Sequence, residues 1–137
     1  MICLLASRNT WASALASYLL DTLAFLWWLD DDSQLGPEAR TAIEDPANDV
    51  FVSAASAWEI SIKRNIGKLE APGEVETWIA ESGFSELAIE VEHAVHAGEL
   101  PNHHKDPFDR MLIAQAQLEG LTLVARDDEI HKYDVET

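Results

Sequence analysis

Residues 106–127 read DPFDRMLIAQAQLEGLTLVARD. An acid and a proline open the stretch, the usual pairing of an N-cap with proline at the first helical position. Leu112, Ile113 and Ala116 follow Asp109 at three, four and seven positions, one face of a helix. Gly120 marks the end of that helix. LTLVA comes next, a short apolar run without alternation, which predicts a strand buried on both faces. Asp127 and Asp128 lie just past it.

The same grammar extends outward along the chain. YLLDT, residues 18–22, predicts a buried strand, and a helix follows from Leu23 to Leu29 with Phe25, Trp27 and Trp28. DDDSQLGP is a loop, Pro37 opens a short helix to Glu44, and DPAND is a turn. DVFVSA predicts a second strand. SAASAWEISIKRNIGKL is a helix with Ser53 or Ser56 as its cap, and Ala55, Trp58, Ile62 and Leu69 form its core stripe. Pro72 and Gly73 break the chain. A helix over EVETWIAESG, a third strand over FSELAI and a helix over EVEHAVHAGELP precede the NHHKD loop. DDEIHKY is a turn or short helix. Strands alternating with helices predict parallel strands covered on both faces.

The chain has 137 residues, enough for one domain with a real core. One cysteine, Cys3, excludes a disulfide framework and a cysteine zinc site. A reducing cytoplasm is the simplest setting. No apolar run reaches the ~20 residues of a membrane helix. Residues 1–17 have no clear period. Arg8, Asn9 and Thr10 interrupt them too early for a signal peptide. We read them as an extension, disordered or from a mis-assigned start, and residues 18–137 as a single domain.

Acids recur where a parallel sheet gathers its ligands, at the carboxyl ends of strands. Asp21 ends the first strand, Glu59 lies two turns into the helix after the second, Asp106 and Asp109 open the helix before the last, and Asp127 and Asp128 end the last. Each has a structural reading. Asp21 and Asp106 suit helix caps, Asp109 suits a first turn, and Asp127 or Asp128 suits a turn. Asp109 nevertheless shares a face with Leu112, Ile113 and Ala116, and Glu59 lies beside a core stripe, where an unpaired carboxylate is costly. Several acids together repel unless cations neutralise them. All-oxygen ligation favours Mg²⁺ or Mn²⁺ over zinc, and such clusters serve phosphoryl transfer.

YLLDT, SAWEISIK, HHKDPFDRMLIAQA and LTLVARD together resemble the successive motifs of PIN-domain ribonucleases, specifically VapC-type toxins of bacterial toxin–antitoxin pairs. The resemblance runs from Tyr18 to Val135. It implies a three-layer α/β/α sandwich with a mainly parallel sheet of four to five strands. It implies a metal-dependent endoribonuclease acting on tRNA or ribosomal RNA, a cognate antitoxin, and a homodimer. Residue by residue, it implies Asp21, Glu59, Asp109 and Asp127 as catalytic acids. Asp21 and Asp109 would be direct Mg²⁺ or Mn²⁺ ligands, with Glu59, Asp127, Asp128 and Asp106 as further candidates. The family often has Thr or Ser where this chain has Ala125.

Nine Lys and Arg face 25 Asp and Glu, a net charge of −16, which opposes binding to nucleic acid. Six of the nine, Lys63, Arg64, Lys68, Lys105, Arg110 and Arg126, fall inside the motif segments. They form either a local rim for RNA phosphates or solvated helix ends and salt-bridge partners. Lys63, Arg64, Arg110 and His104 are the RNA-contact candidates. His93 and His96 read as surface residues. Trp27, Trp28, Trp58 and Trp78 read as core or interface rather than base-stacking surfaces, and adjacent Trp27 and Trp28 cannot both face one core. A haloacid-dehalogenase pattern requires an acid at Leu23, and a receiver domain requires one ending DVFVSA. The rival from another class is a catalytically weak PIN-like module that acts by binding a partner or RNA.

Overall fold

A computed structural model describes residues 3–5, 16–103 and 105–125. The elements are β1 (Cys3–Leu5), β2 (Ser17–Leu20), α1 (Thr22–Leu29), α2 (Pro37–Glu44), β3 (Asp49–Ser53), α3 (Ala54–Asn65), α4 (Val75–Glu81), β4 (Ser85–Leu87), α5 (Val91–Glu99), α6 (Pro107–Glu119) and β5 (Thr122–Ala125). A 3-10 turn over Ser33–Leu35 lies in the DDDSQLGP loop. The predicted DDEIHKY turn falls outside the described residues.

One sheet runs in the order β1-β5-β2-β3-β4. β5, β2, β3 and β4 are parallel neighbours, and β1 pairs antiparallel with β5. β1 belongs to the stretch read as an extension, and its backbone sets Cys3 opposite Ala125. The chain leaves β2 to build β3 on one side and returns much later to lay β5 on the other. This is the switch point at which open α/β sheets bind ligands, at the carboxyl ends of the strands.

Strand side chains divide between two cores. Tyr18, Leu20, Val50, Val52 and Val124 join Phe25, Trp27, Leu35, Ile43 and Ile79 from the layer of α1, α2 and α4. Leu19, Leu123 and Ala125 join Leu100, Leu112, Ile113 and Ala116 from the layer of α5 and α6. Both sheet faces are therefore covered, and β2 and β5 are apolar in nearly every position rather than alternating. The predicted three-layer α/β/α sandwich is the observed architecture.

Three expectations fail for physical reasons. The core stripe on α3 is misplaced: Trp58 is 62% exposed and Ile62 36%. The helix instead buries Ala55, Ser56, Glu59 and Ile60. Two of those four are polar, so apolar periodicity points to the wrong face. Trp27 and Trp28 do serve one core. Trp27 is buried in it and Trp28 packs at its margin. There the Trp28 indole N–H donates to Ser82 Oγ at 3.2 Å, and the ring meets Phe84 and Arg40. The layer extends past the end of α1, so both rings find cover. His93 is 1% exposed, not a surface residue. Its Nδ1 accepts the Glu90 N–H at 2.9 Å, and its Nε2 lies 2.9 Å from Glu119 Oε2. With Nδ1 accepting, the ring proton sits on Nε2 and is donated to Glu119.

Candidate active site

The site begins where β2 stops. The Asp21 N–H donates to Val124 O at 3.0 Å, so the residue is tied to β5 at the sheet's carboxyl edge. Its side chain then turns back as the N-cap of α1: Oδ1 accepts the Ala24 N–H at 2.7 Å. The capping reading of Asp21 is thus met, and it leaves the carboxylate fixed and only 6% exposed. The carboxylate in this apolar strand-to-helix corner is held by the Ala24 N–H and by the N-terminal dipole of α1.

Thr22, the next residue, joins this corner to α3. Its hydroxyl lies 2.6 Å from Glu59 Oε1 and 3.1 Å from the Ser56 hydroxyl. Glu59 is 8% exposed. Its other oxygen, Oε2, pairs with Lys63 Nζ at 2.9 Å, one helical turn on. Each Glu59 oxygen is therefore satisfied from within the chain. A carboxylate on the buried face of a helix requires such partners. The Lys63 side chain is 44% exposed, so solvent screens the pair and its net stabilisation is small. Thr22 was not singled out from sequence and Ser56 was read only as a possible cap, although a hydroxyl directly after the strand-ending acid was the available signal.

Asp106 caps α6 with Oδ1 2.8 Å from the Phe108 N–H and 3.3 Å from the Asp109 N–H, and Pro107 occupies the first turn. Asp109 is half-buried in that turn. Asp127, Asp128 and His104 lie outside the described residues. Ala125 is 1% exposed and belongs to the core beneath α6.

The basic candidates are engaged with the protein. Lys63 pairs with Glu59. The Arg64 guanidinium lies 5.5 Å over the Trp78 ring. Arg110 donates to Pro101, Ala97 and Leu100 carbonyls at 2.9–3.0 Å, closing the end of α5. A second polar network is buried nearby: Ser53 and Gln115 hydrogen-bond at 2.6 Å, and Gln115 Nε2 donates to Ala88 O at 3.2 Å.

Asp21 and Glu59 are linked through the adjoining Thr22. The candidate donors among the described residues, Asp21, Glu59, Asp106 and Asp109, are all carboxylates, a set whose chemistry fits a hard divalent cation. Among the described residues, no group of three or more His, Cys, Asp or Glu is arranged to hold a metal ion.

A parallel sheet between two helical layers, with buried acids at its carboxyl edge, defines the class. Residues 18–136 match the family model described as PIN domain, and the chain belongs to that family. Over 63 residues it is 35% identical to Ribonuclease VapC16 of Mycobacterium tuberculosis (strain ATCC 25618 / H37Rv). That alignment covers 43% of this chain and 45% of the relative, so the match spans less than half of the relative's length. The resemblance drawn from the motifs holds at the level of family.

Proposed function

We propose that the chain is a metal-dependent endoribonuclease, the toxin of a type II toxin–antitoxin pair. One observation supports this most. In a PIN-domain chain, Asp21 and Glu59, from separate segments, are more than nine-tenths buried and held at the carboxyl edge by partners within the chain.

Asp21 and Asp109 would hold Mg²⁺ or Mn²⁺, with Glu59, Asp127, Asp128 and Asp106 as further donors. Such an ion supplies positive charge to the scissile phosphate and makes water easier to deprotonate. The chain's own residues do the positioning. Asp21 cannot swing away without losing the Ala24 N–H. Glu59, held by Thr22 and Lys63, orients the attacking water. The water oxygen joins phosphorus in line, the P–O bond on the far side breaks, and the departing ribose oxygen takes a proton. No 2′-hydroxyl nucleophile is required, so preference for RNA rests on binding contacts.

The substrate is RNA of the tRNA or ribosomal class. The partners are an antitoxin covering the site and a second copy of the chain, and the setting is the cytoplasm. No helix among the described residues is long and apolar enough to cross a membrane. The second reading, a PIN-like module that binds without cutting, is favoured by one fact: Lys63 already neutralises Glu59.

Cleavage of total cellular RNA by purified, antitoxin-free protein separates the two. Discrete fragments with Mg²⁺ or Mn²⁺ are expected, and none with EDTA. Asp21→Asn should slow cutting on the order of 10²–10⁴-fold, the scale of one lost catalytic group. Folded protein that cuts with neither ion is a binding module.

A further inference from the structure

α3 and α6 each carry an aromatic residue one position before a candidate acid: Trp58 before Glu59 and Phe108 before Asp109. The two rings meet edge to face, centroids 5.2 Å apart at 71°. That is a favourable aromatic geometry, and it braces the larger ring from one side. Phe108 is half-buried, while Trp58 stands 62% exposed. The described structure buries Trp27 and packs Trp28 and Trp78 against the same core. Trp58 alone of these four indoles is left in water, at the margin of the acids.

Charge tells what such a surface recognises. The chain carries −16, and Lys63, Arg64 and Arg110 are engaged with Glu59, Trp78 and the end of α5. The net charge opposes a polyanion, Glu59 neutralises Lys63, and Arg64 and Arg110 keep their charge but are tied to a ring and to carbonyls. Stacking of a base on an aromatic ring does not depend on net charge and accepts any base. It requires that the base be unpaired and turned out of a helix.

We propose that Trp58, braced by Phe108, is a stacking platform for an unpaired nucleobase next to the bond that is cut. This rests on the ribonuclease reading and adds to it a substrate form: single-stranded RNA, or a loop, at the point of entry. The competing occupant is a second copy or a protein partner, which would cover Trp58 together with Ile62 and Ile66 farther along α3 (36% and 56% exposed).

The test uses the full chain in two backgrounds. In Asp21→Asn protein, binding of a short unstructured oligoribonucleotide is measured by fluorescence anisotropy, beside the same oligomer with abasic positions. In the wild-type background, kcat and KM are measured on a cleaved RNA. Trp58→Ala should weaken oligomer binding about 5- to 150-fold, the range of one base stack, and Trp58→Tyr should stay within a few-fold of the parent. The abasic oligomer should bind weakly and no longer discriminate among the three. Trp58→Ala should raise KM, leave kcat near its parent value, and leave the salt slope of binding unchanged, because no phosphate contact is lost. Equal binding and equal KM for Trp58→Ala and its parent would overturn the proposal while leaving the nuclease reading intact. So would loss of a dimer in Trp58→Ala, on size-exclusion chromatography, without change in oligomer affinity. Binding that depends on Trp58 in a protein that never cuts would sink the nuclease reading and the placement beside a cut bond, leaving only a base-stacking contact. No binding and no cutting would remove both.

Discussion

At Thr22, one hydroxyl stands between Glu59 Oε1 at 2.6 Å and the Ser56 hydroxyl at 3.1 Å. Thr22→Val keeps the shape and deletes the only polar atom of the side chain, leaving buried oxygens short of a partner. It should cost about 1–3 kcal/mol in denaturant unfolding, with Thr22→Ser restoring most of it. An unchanged midpoint in Thr22→Val would show that water replaces the hydroxyl. Asp21 separates structure from chemistry in a similar way. Asparagine caps a helix about as well as aspartate, so Asp21→Asn should melt near the parent, whereas Asp21→Ala should lose about 1 kcal/mol. If Asp21→Asn unfolds the protein, the loss of cutting predicted for it says nothing about catalysis. The acids themselves were legible, because a lone carboxylate after an apolar strand is conspicuous. Their partners were not, because threonine and serine look ordinary in any strand-to-helix corner.

Among the elements, α6 was legible from end to end. Asp106 and Pro107 open it, and Gly120, with φ 68°, closes it in the left-handed region. A Cβ at Gly120 would meet nothing within 4 Å, so Gly120→Ala should cost only backbone strain, about 1–2 kcal/mol, read as a lower unfolding midpoint. Asp106→Ser should retain the cap and the stability of the parent. If it also abolishes cleavage, Asp106 is a metal ligand as well as a cap. α3 was legible as a helix but not in its orientation. Its inward face carries Ser56 and Glu59 beside Ala55 and Ile60, while Trp58 and Ile62 face out, so polar and apolar residues fall on both sides. Periodicity assumes that apolar residues seek the interior, and a helix that buries a hydroxyl and a carboxylate breaks that assumption. His93 was misread for the same reason, since its network with Glu90, Gln115 and Glu119 exists only once α5 and α6 pack.

For the molecule as a whole, 25 acids against nine bases make the folded state repel itself. Screening should relieve this, so Tm should rise by several degrees between about 0.05 and 0.5 M NaCl. A flat or falling Tm would mean that local ion pairs such as Arg40–Asp31 outweigh the excess charge. Alkali offers a second global test through Tyr18. Burial, and then the negative charge of Asp45, hold its hydroxyl proton to a higher pH than in the unfolded chain. Its contribution to stability is complete below the ordinary tyrosine range and is lost as pH climbs beyond about 10. Tyr18→Phe should therefore show a shallower fall in stability above that pH. The sheet imposes one further condition. The carbonyl that receives the Asp21 N–H belongs to Val124, and β5 must thread between β1 and β2, with Tyr18 finding Thr122 and Leu4 finding Val124 across nearly the whole chain. Pairings between such distant segments close late. A chain whose β5 has not docked lacks the Val124 carbonyl that ties the Asp21 backbone, so that corner is completed only when the last strand closes.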